Sequence, residues 1–187
     1  MKNLLPICMM AVLLGCASEE ECVEYVHVEK EEIVAEAVRE PVLDIEQRDC
    51  LALNIYFESR DQSLVGRIAV ADVVLNRVAD DYYPDTVCEV VTQAIVRENW
   101  KGNVMPVRNQ CQFSWYCDGL RDEPQDPRAW LQAVTIATDM MQYGDFRGIT
   151  EGSTHYHATY VEPNWVNDRG MAYIGMIGDH EFYRWHR

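Results

Sequence analysis

One acid falls on a helical stripe that is otherwise apolar. In Leu51-Ala52-Leu53-Asn54-Ile55-Tyr56-Phe57-Glu58-Ser59-Arg60, the positions Leu51, Ile55, Glu58 and Ser59 recur at steps of four and three, which places them on one side of an α-helix. A carboxyl group on the core side of a helix loses part of its hydration. Desolvation disfavours the charged form and raises the pKa. An acid that stays protonated at working pH is what general acid catalysis requires. The same position also suits a structural Glu paired with Arg60 or Arg77.

A second group of reactive side chains lies near the C-terminal end. Ser153-Thr154-His155-Tyr156-His157-Ala158 alternates in the manner of a strand, so His155 and His157 face one side. An His-x-His pair could ligate zinc with His180 or Asp179 as third ligand, the basis of a metal-dependent amidase or peptidase. Imidazoles at these three positions equally suit hydrogen bonding to sugar hydroxyls and N-acetyl groups. The run Gln112-Phe113-Ser114-Trp115, together with Trp165, sets amides and hydroxyls beside aromatic rings. Such a surface fits sugars, which have polar edges and apolar faces. No C-x-x-C pair exists, so neither a zinc ribbon nor a redox motif is expected.

Helices must position Glu58. Ser63 to Val78 is the strongest, with Leu64, Ile68, Ala71, Leu75 and Val78 as its stripe and Val70, Val73 and Val74 widening it, so it should be central. Thr86 and Glu89 have capping-box spacing and open a helix expected to run to about Arg97. Asp126-Pro127 starts another, with Gly144 past its end. Residues 99–125, with Trp100, Trp115 and Tyr116, read as a long loop. Three β-prone runs follow, at Ser153–Val161, Met171–Ile177 and His180–Trp185. Helices first and a small antiparallel sheet after them make the fold class α+β.

The N-terminal region differs from this body. Lys2 precedes a short apolar run that is too short to span a bilayer and reads as a signal-peptide core. Leu13-Leu14-Gly15-Cys16 resembles a bacterial lipobox, which implies a leader over 1–15, lipid on Cys16, and export to a periplasmic, outer-membrane-anchored position. Residues 17–47 hold eleven acids against Lys30 and Arg39, so 16–47 is expected to be an extended acidic tether. Of a net charge of −15, more than half lies there. Acidity on both parts argues against nucleic acid as a partner. About 140 residues, 48–187, remain for one domain. In an exported protein disulfides persist. Cys111 and Cys117 flank a five-residue loop and are expected to bridge, and Cys50 and Cys88 lie near two helix starts and could form a second bond. Cys22 is left over and could link two chains, as could the tether.

The motifs, taken in order, resemble a known family. Leu53 to Arg60, Gly66 to Val78, Pro84-Asp85-Thr86-Val87-Cys88, Cys111-Gln112-Phe113-Ser114-Trp115, Thr154-His155-Tyr156-His157-Ala158 and Gly178-Asp179-His180-Glu181-Phe182-Tyr183-Arg184 are similar to the cell wall hydrolases of the spore cortex-lytic type. The resemblance implies a lysozyme-like helical core with a small antiparallel sheet beside the cleft. It implies cleavage of peptidoglycan glycan strands between N-acetylmuramic acid and N-acetylglucosamine, as a lytic transglycosylase or muramidase, without metal or cofactor. Its catalytic Glu falls on Glu58. Where the family has Gly-Glu-Ala-Arg-Gly-Glu, this chain has Phe57-Glu58-Ser59-Arg60-Asp61-Gln62, so the acid and the Arg are kept and the next acidic position is an amide. Asp61 and Asp118 are the candidates for a second carboxylate. The substrate-binding set expected is Gln112, Phe113, Ser114, Trp115, His155, Tyr156, His157, Trp165, His180 and Tyr183. A peptidoglycan-binding lipoprotein without catalysis is the non-enzymatic alternative.

Overall fold

Among the described residues, four α-helices surround the larger apolar core, and a three-stranded sheet leans on the second of them. The computed structural model describes residues 42–186. The leader, Cys16, Cys22 and most of the acidic tether lie outside them.

Helix α1 spans Ile45–Ser59, and the Asp44 side chain caps it by accepting from the N–H groups of Glu46 and Gln47. It starts three residues before the boundary expected at 48. Helix α2 spans Leu64–Val78 behind the N-cap Ser63. Every residue from Ile68 to Val74 is buried, so α2 is central, as its pattern predicts. One side packs Ile68, Ala71 and Val74 against Leu51, Ile55 and Tyr56 of α1. The other side sets Ala69 and Val73 against Phe182. Helix α2 is thus the wall between the helical core and the sheet. Helix α4 spans Pro127–Thr138 with Asp126 as N-cap. A π-helical turn, Asp139–Tyr143, then ends at Gly144, whose φ of 72° is the left-handed closure that glycine adopts freely.

The stretch after Thr86 differs from expectation. The capping box is there, with Thr86 Oγ1 bonded to the N–H and carboxylate of Glu89, but helix α3 covers only Val87–Val91. The chain then forms strand β1, Ala94–Glu98, antiparallel to β2, Val104–Cys111. β-Branched Ile95 and Val96 favour extended backbone. The partner strand supplying the hydrogen bonds lies beyond a tight turn that helical periodicity does not register. The segment expected as a long loop therefore holds an eight-residue strand and a 3-10 turn at Ser114–Cys117. Pro106 sits opposite Val96 in a two-stranded ribbon, whose edges tolerate a missing N–H.

Strands β3 (His155–Ala158), β4 (Met171–Ile177) and β5 (His180–Trp185) form the sheet in the order β3-β5-β4, all antiparallel. Tyr156 pairs with Phe182 on the face turned to α2. His155 pairs with Tyr183, and His157 with Glu181, on the opposite face. Both expected disulfides are present, Cys50–Cys88 joining α1 to α3 and Cys111–Cys117 joining β2 to the 3-10 turn.

Candidate active site

Glu58 stands at the last turn of α1, where the helical core meets β3. The carboxylate lies in a cavity of about 180 Å³ lined by Glu58, Arg77, Gln112, Phe113, His155, Tyr156 and Trp165. Larger depressions exist, such as one of about 550 Å³ over Leu75, Val87 and Met140, but that one is mainly apolar and its Asp44 is engaged as the α1 cap. Around Glu58 the lining is polar, and among the described residues Glu58 is its only carboxylate.

Burial raises the pKa of Glu58 above the ordinary carboxylate value. Three groups oppose that rise: the Tyr156 hydroxyl, the Ser114 backbone N–H and the Arg77 guanidinium. Tyr156 Oη donates to Glu58 Oε2 at 3.3 Å. Burial holds the Tyr156 hydroxyl well above its usual pKa, so it stays a donor. Arg77 is buried and is fixed twice, by Nε to the Thr154 carbonyl at 2.8 Å and by Nη1 to Gln112 Oε1 at 3.2 Å. It also lies over the rings of Tyr83 and Phe113. One cation thus ties α2, the Gln112 loop and the entry to β3 around the acid. Arg60, the other sequence candidate for pairing, instead donates to Tyr56 Oη on the α4 side.

The polar face of α2 sets the height of β3. Asp72, fully buried, accepts from the N–H groups of Gly148 and Thr150 and from Thr150 Oγ1. Asn76 Nδ2 donates to Thr150 Oγ1 and to the Ser153 carbonyl. At the far end, Gln62 makes two hydrogen bonds to Asp179, one to its carboxylate and one from its N–H. The Gln62 amide is therefore a clasp between the start of α2 and the β4–β5 turn. Asp61 and Asp118 do not line the cavity, and Asp118 caps the Leu120 N–H.

The expected binding residues separate into three groups. Gln112, Phe113, His155, Tyr156 and Trp165 line the cavity, and Ser114 reaches it through its backbone. His157 and Tyr183 lie further out on the same face of the sheet as His155, stacked at 5.3 Å beside Trp165. Tyr183 donates to Glu181 at 2.8 Å, and burial with that partner pushes its pKa up to about 12. Trp115 and His180 are elsewhere. Trp115 is buried, stacks on Phe57 and donates to Asn54 Oδ1, so it is core. His180 sits on the α2 side, edge-on to Tyr156 and Phe182, and burial lowers its pKa.

This placement bears on the zinc alternative. His180 is on the opposite sheet face from His155 and His157. His157 has both ring nitrogens engaged, Nδ1 with the Ala158 carbonyl and Nε2 with Tyr183 Oη. Among the described residues no three His, Cys, Asp or Glu side chains converge as a ligand set. From the sequence Arg77 is expected only as a structural partner of Glu58, and Asp72 and Asn76 carry no expected role. An Asp, an Asn and an Arg at α2 positions 72, 76 and 77, in the half of the helix that is otherwise apolar, were the available signal.

Comparisons with known proteins agree with this architecture. The catalytic domain of the Bacillus cereus SleB protein matches at a TM-score of 0.50 and 22% identity, over 76% of this chain and 93% of that one. The catalytic domain of the germination-specific lytic transglycosylase SleB from Bacillus anthracis matches at 0.52 and 23%, over 75% and 96%. These likenesses establish the α+β fold, a lysozyme-like helical core with a small antiparallel sheet. No curated protein matches the sequence. The family model described as Cell Wall Hydrolase matches residues 61–183, beginning three residues after Glu58, and the chain belongs to that cell wall hydrolase family.

Proposed function

We propose that the protein is a lytic transglycosylase that cuts the glycan strand of peptidoglycan between N-acetylmuramic acid and N-acetylglucosamine, with Glu58 as its one acid and base. The observation that carries this reading is the cavity itself: a single desolvated carboxyl, held by Tyr156 and Ser114, with no second carboxylate in the lining. Two-carboxylate glycosidases place their pair at set separations across the scissile bond. A single acid suffices when the substrate provides the nucleophile.

Tyr156 and the Ser114 N–H orient the Glu58 carboxyl, which carries the acidic proton. Glu58 gives that proton to the glycosidic oxygen as the bond to muramic acid C1 breaks, and the N-acetylglucosamine 4-hydroxyl leaves. The resulting carboxylate, stabilised by Tyr156, Ser114 and Arg77, accepts the proton of the muramic acid 6-hydroxyl. O6 bonds to C1, a 1,6-anhydro end forms and Glu58 is protonated again. No water is consumed. Gln112, His155 and Trp165 supply hydrogen bonds and an aromatic face for the sugars.

The tether and lipobox are read as delivery: export, lipid on Cys16 and a catalytic domain, 48–187, reaching the wall from an outer membrane. Two disulfides fit an oxidising compartment. The test is mass spectrometry of what the chain releases from peptidoglycan, with Glu58→Gln alongside. Anhydro-muramic ends that vanish in the variant support the reading. Reducing-end sugars favour hydrolysis, free stem peptides an amidase, and tight binding without release a wall-binding lipoprotein.

A further inference from the structure

We infer that the β1–β2 hairpin is a glycan-binding arm that holds the peptidoglycan strand beyond the Glu58 cavity. The inference rests on the peptidoglycan reading above and adds a second contact region to it. Four observations carry it. Trp100, at the tip, is 89% exposed. An aromatic side chain so fully presented to water stabilises nothing in the fold, and large exposed rings mark binding surfaces.

The presentation is rigid. Asn99 closes the turn by exchanging backbone bonds with Asn103 and Gly102, and its Oδ1 accepts from the N–H groups of Lys101 and Asn103 at 2.9 and 3.0 Å. The backbone turn that carries Trp100 and Lys101 is therefore ordered, and Nζ of the lysine lies 4.8 Å from the indole ring centroid. A preordered tip lowers the ordering cost of binding.

The arm is also basic on an acidic domain. Residues 94–111 hold Arg97, Lys101 and Arg108 against Glu98, while 48–187 as a whole have 20 acids and 13 bases. Peptide stems on a glycan strand carry free carboxylates, so arm and ligand are complementary in charge.

Finally, the arm is continuous with the cavity. Its root is closed by the Gln112 N–H on the Gln93 carbonyl at 2.9 Å. Gln93, Gln110 and Gln112 line a depression of about 450 Å³. Gln112 belongs to this depression and to the Glu58 cavity alike, so side-chain amides able to meet sugar hydroxyls and N-acetyl groups lead from one to the other. Strand β1 alone extends about 17 Å, enough to meet sugars outside the cavity.

The test uses the full chain with Trp100→Ala and Trp100→Phe. Binding is read by co-sedimentation with insoluble peptidoglycan, and cleavage by product release from long strands and from short soluble muropeptide oligomers. Trp100→Ala should weaken sedimentation about tenfold, the scale of one anchoring aromatic. It should slow release from long strands, leave short oligomers unaffected and be rescued by Trp100→Phe. Unchanged sedimentation of Trp100→Ala would overturn the arm, as would equal losses on long and short substrates. So would Trp100-dependent binding to phosphatidylglycerol vesicles with unchanged wall binding. If wild type releases no sugar product while sedimentation still depends on Trp100, the catalytic reading fails and the arm stands.

Discussion

Tyr156 Oη and Glu58 Oε2 meet at 3.3 Å across the seam between β3 and α1, 98 residues apart in sequence. The contact joins the sheet to the helical core at a carboxyl that burial desolvates. It also favours the ionised carboxyl against the burial that disfavours it, so the pH behaviour of the site can be worked out from it.

Replacing Glu58 by Gln should abolish most activity, by about 10²- to 10⁴-fold if the acid acts as described. Stability should move the other way. Burial raises the folded-state pKa above 4.5, so the folded protein holds this proton more tightly than the unfolded chain. Above the folded pKa the ionised group costs stability, and the cost disappears as pH falls toward 4.5. Glu58→Gln should therefore melt higher than wild type at pH 7 and equally at pH 4, in thermal scans at both.

Tyr156→Phe removes a donor that favours the carboxylate, and the Glu58 pKa should rise further. The alkaline limb of the kcat profile, where the acid form is lost, should then move to higher pH. Arg77→Gln should shift it the same way. It should also destabilise the fold by about 2 kcal/mol, because the Thr154 carbonyl and Gln112 lose a charged donor. Chemical denaturation of both variants separates the two effects.

Gln62→Glu should weaken the clasp on the β4–β5 turn. A carboxylate at 62 faces the Asp179 carboxylate and cannot donate to it. About 1 kcal/mol should be lost at pH 7 and recovered at low pH, where protonation restores a donor. Gly178 leaves little room for adjustment, since a Cβ there would lie 2.9 Å from Gln62 Oε1. Urea midpoints at pH 7 and pH 4 are the measurement.

The two disulfides should be separable. Cys50–Cys88 closes 38 residues of chain, and its removal should cost about 4 kcal/mol on the chain-entropy scale. Cys111–Cys117 closes six, and its removal should cost about 2 kcal/mol. Activity should depend more on the second, because Gln112 and Ser114 lie within it. Paired Cys→Ser variants, assayed for melting and for product release, test this inversion.

The helices were legible because their signals are local. Asp126-Pro127, Thr86 with Glu89, and the stripe of α2 lie within a few residues of the backbone they govern. The burial of Glu58 on the core side of α1 was legible for the same reason. The β1–β2 ribbon was not, because a strand is completed by a partner that periodicity along one segment does not see. Trp115 and His180 look like ligand-binding residues by type, yet their roles are set by Phe57, Asn54 and Tyr156, all distant in sequence. Arg77 sits in a helix whose pattern is apolar, and only the meeting of Thr154 and Gln112 around it reveals its use.

The bond between Cys111 and Cys117 turns seven residues into a covalent ring, with Gln112 and Ser114 as two of its members. A ring cannot peel open from one end as a loop can. Gln112 and Ser114 therefore stay tied to the root of the hairpin at Cys111, and neither can leave the neighbourhood of Glu58 without the other.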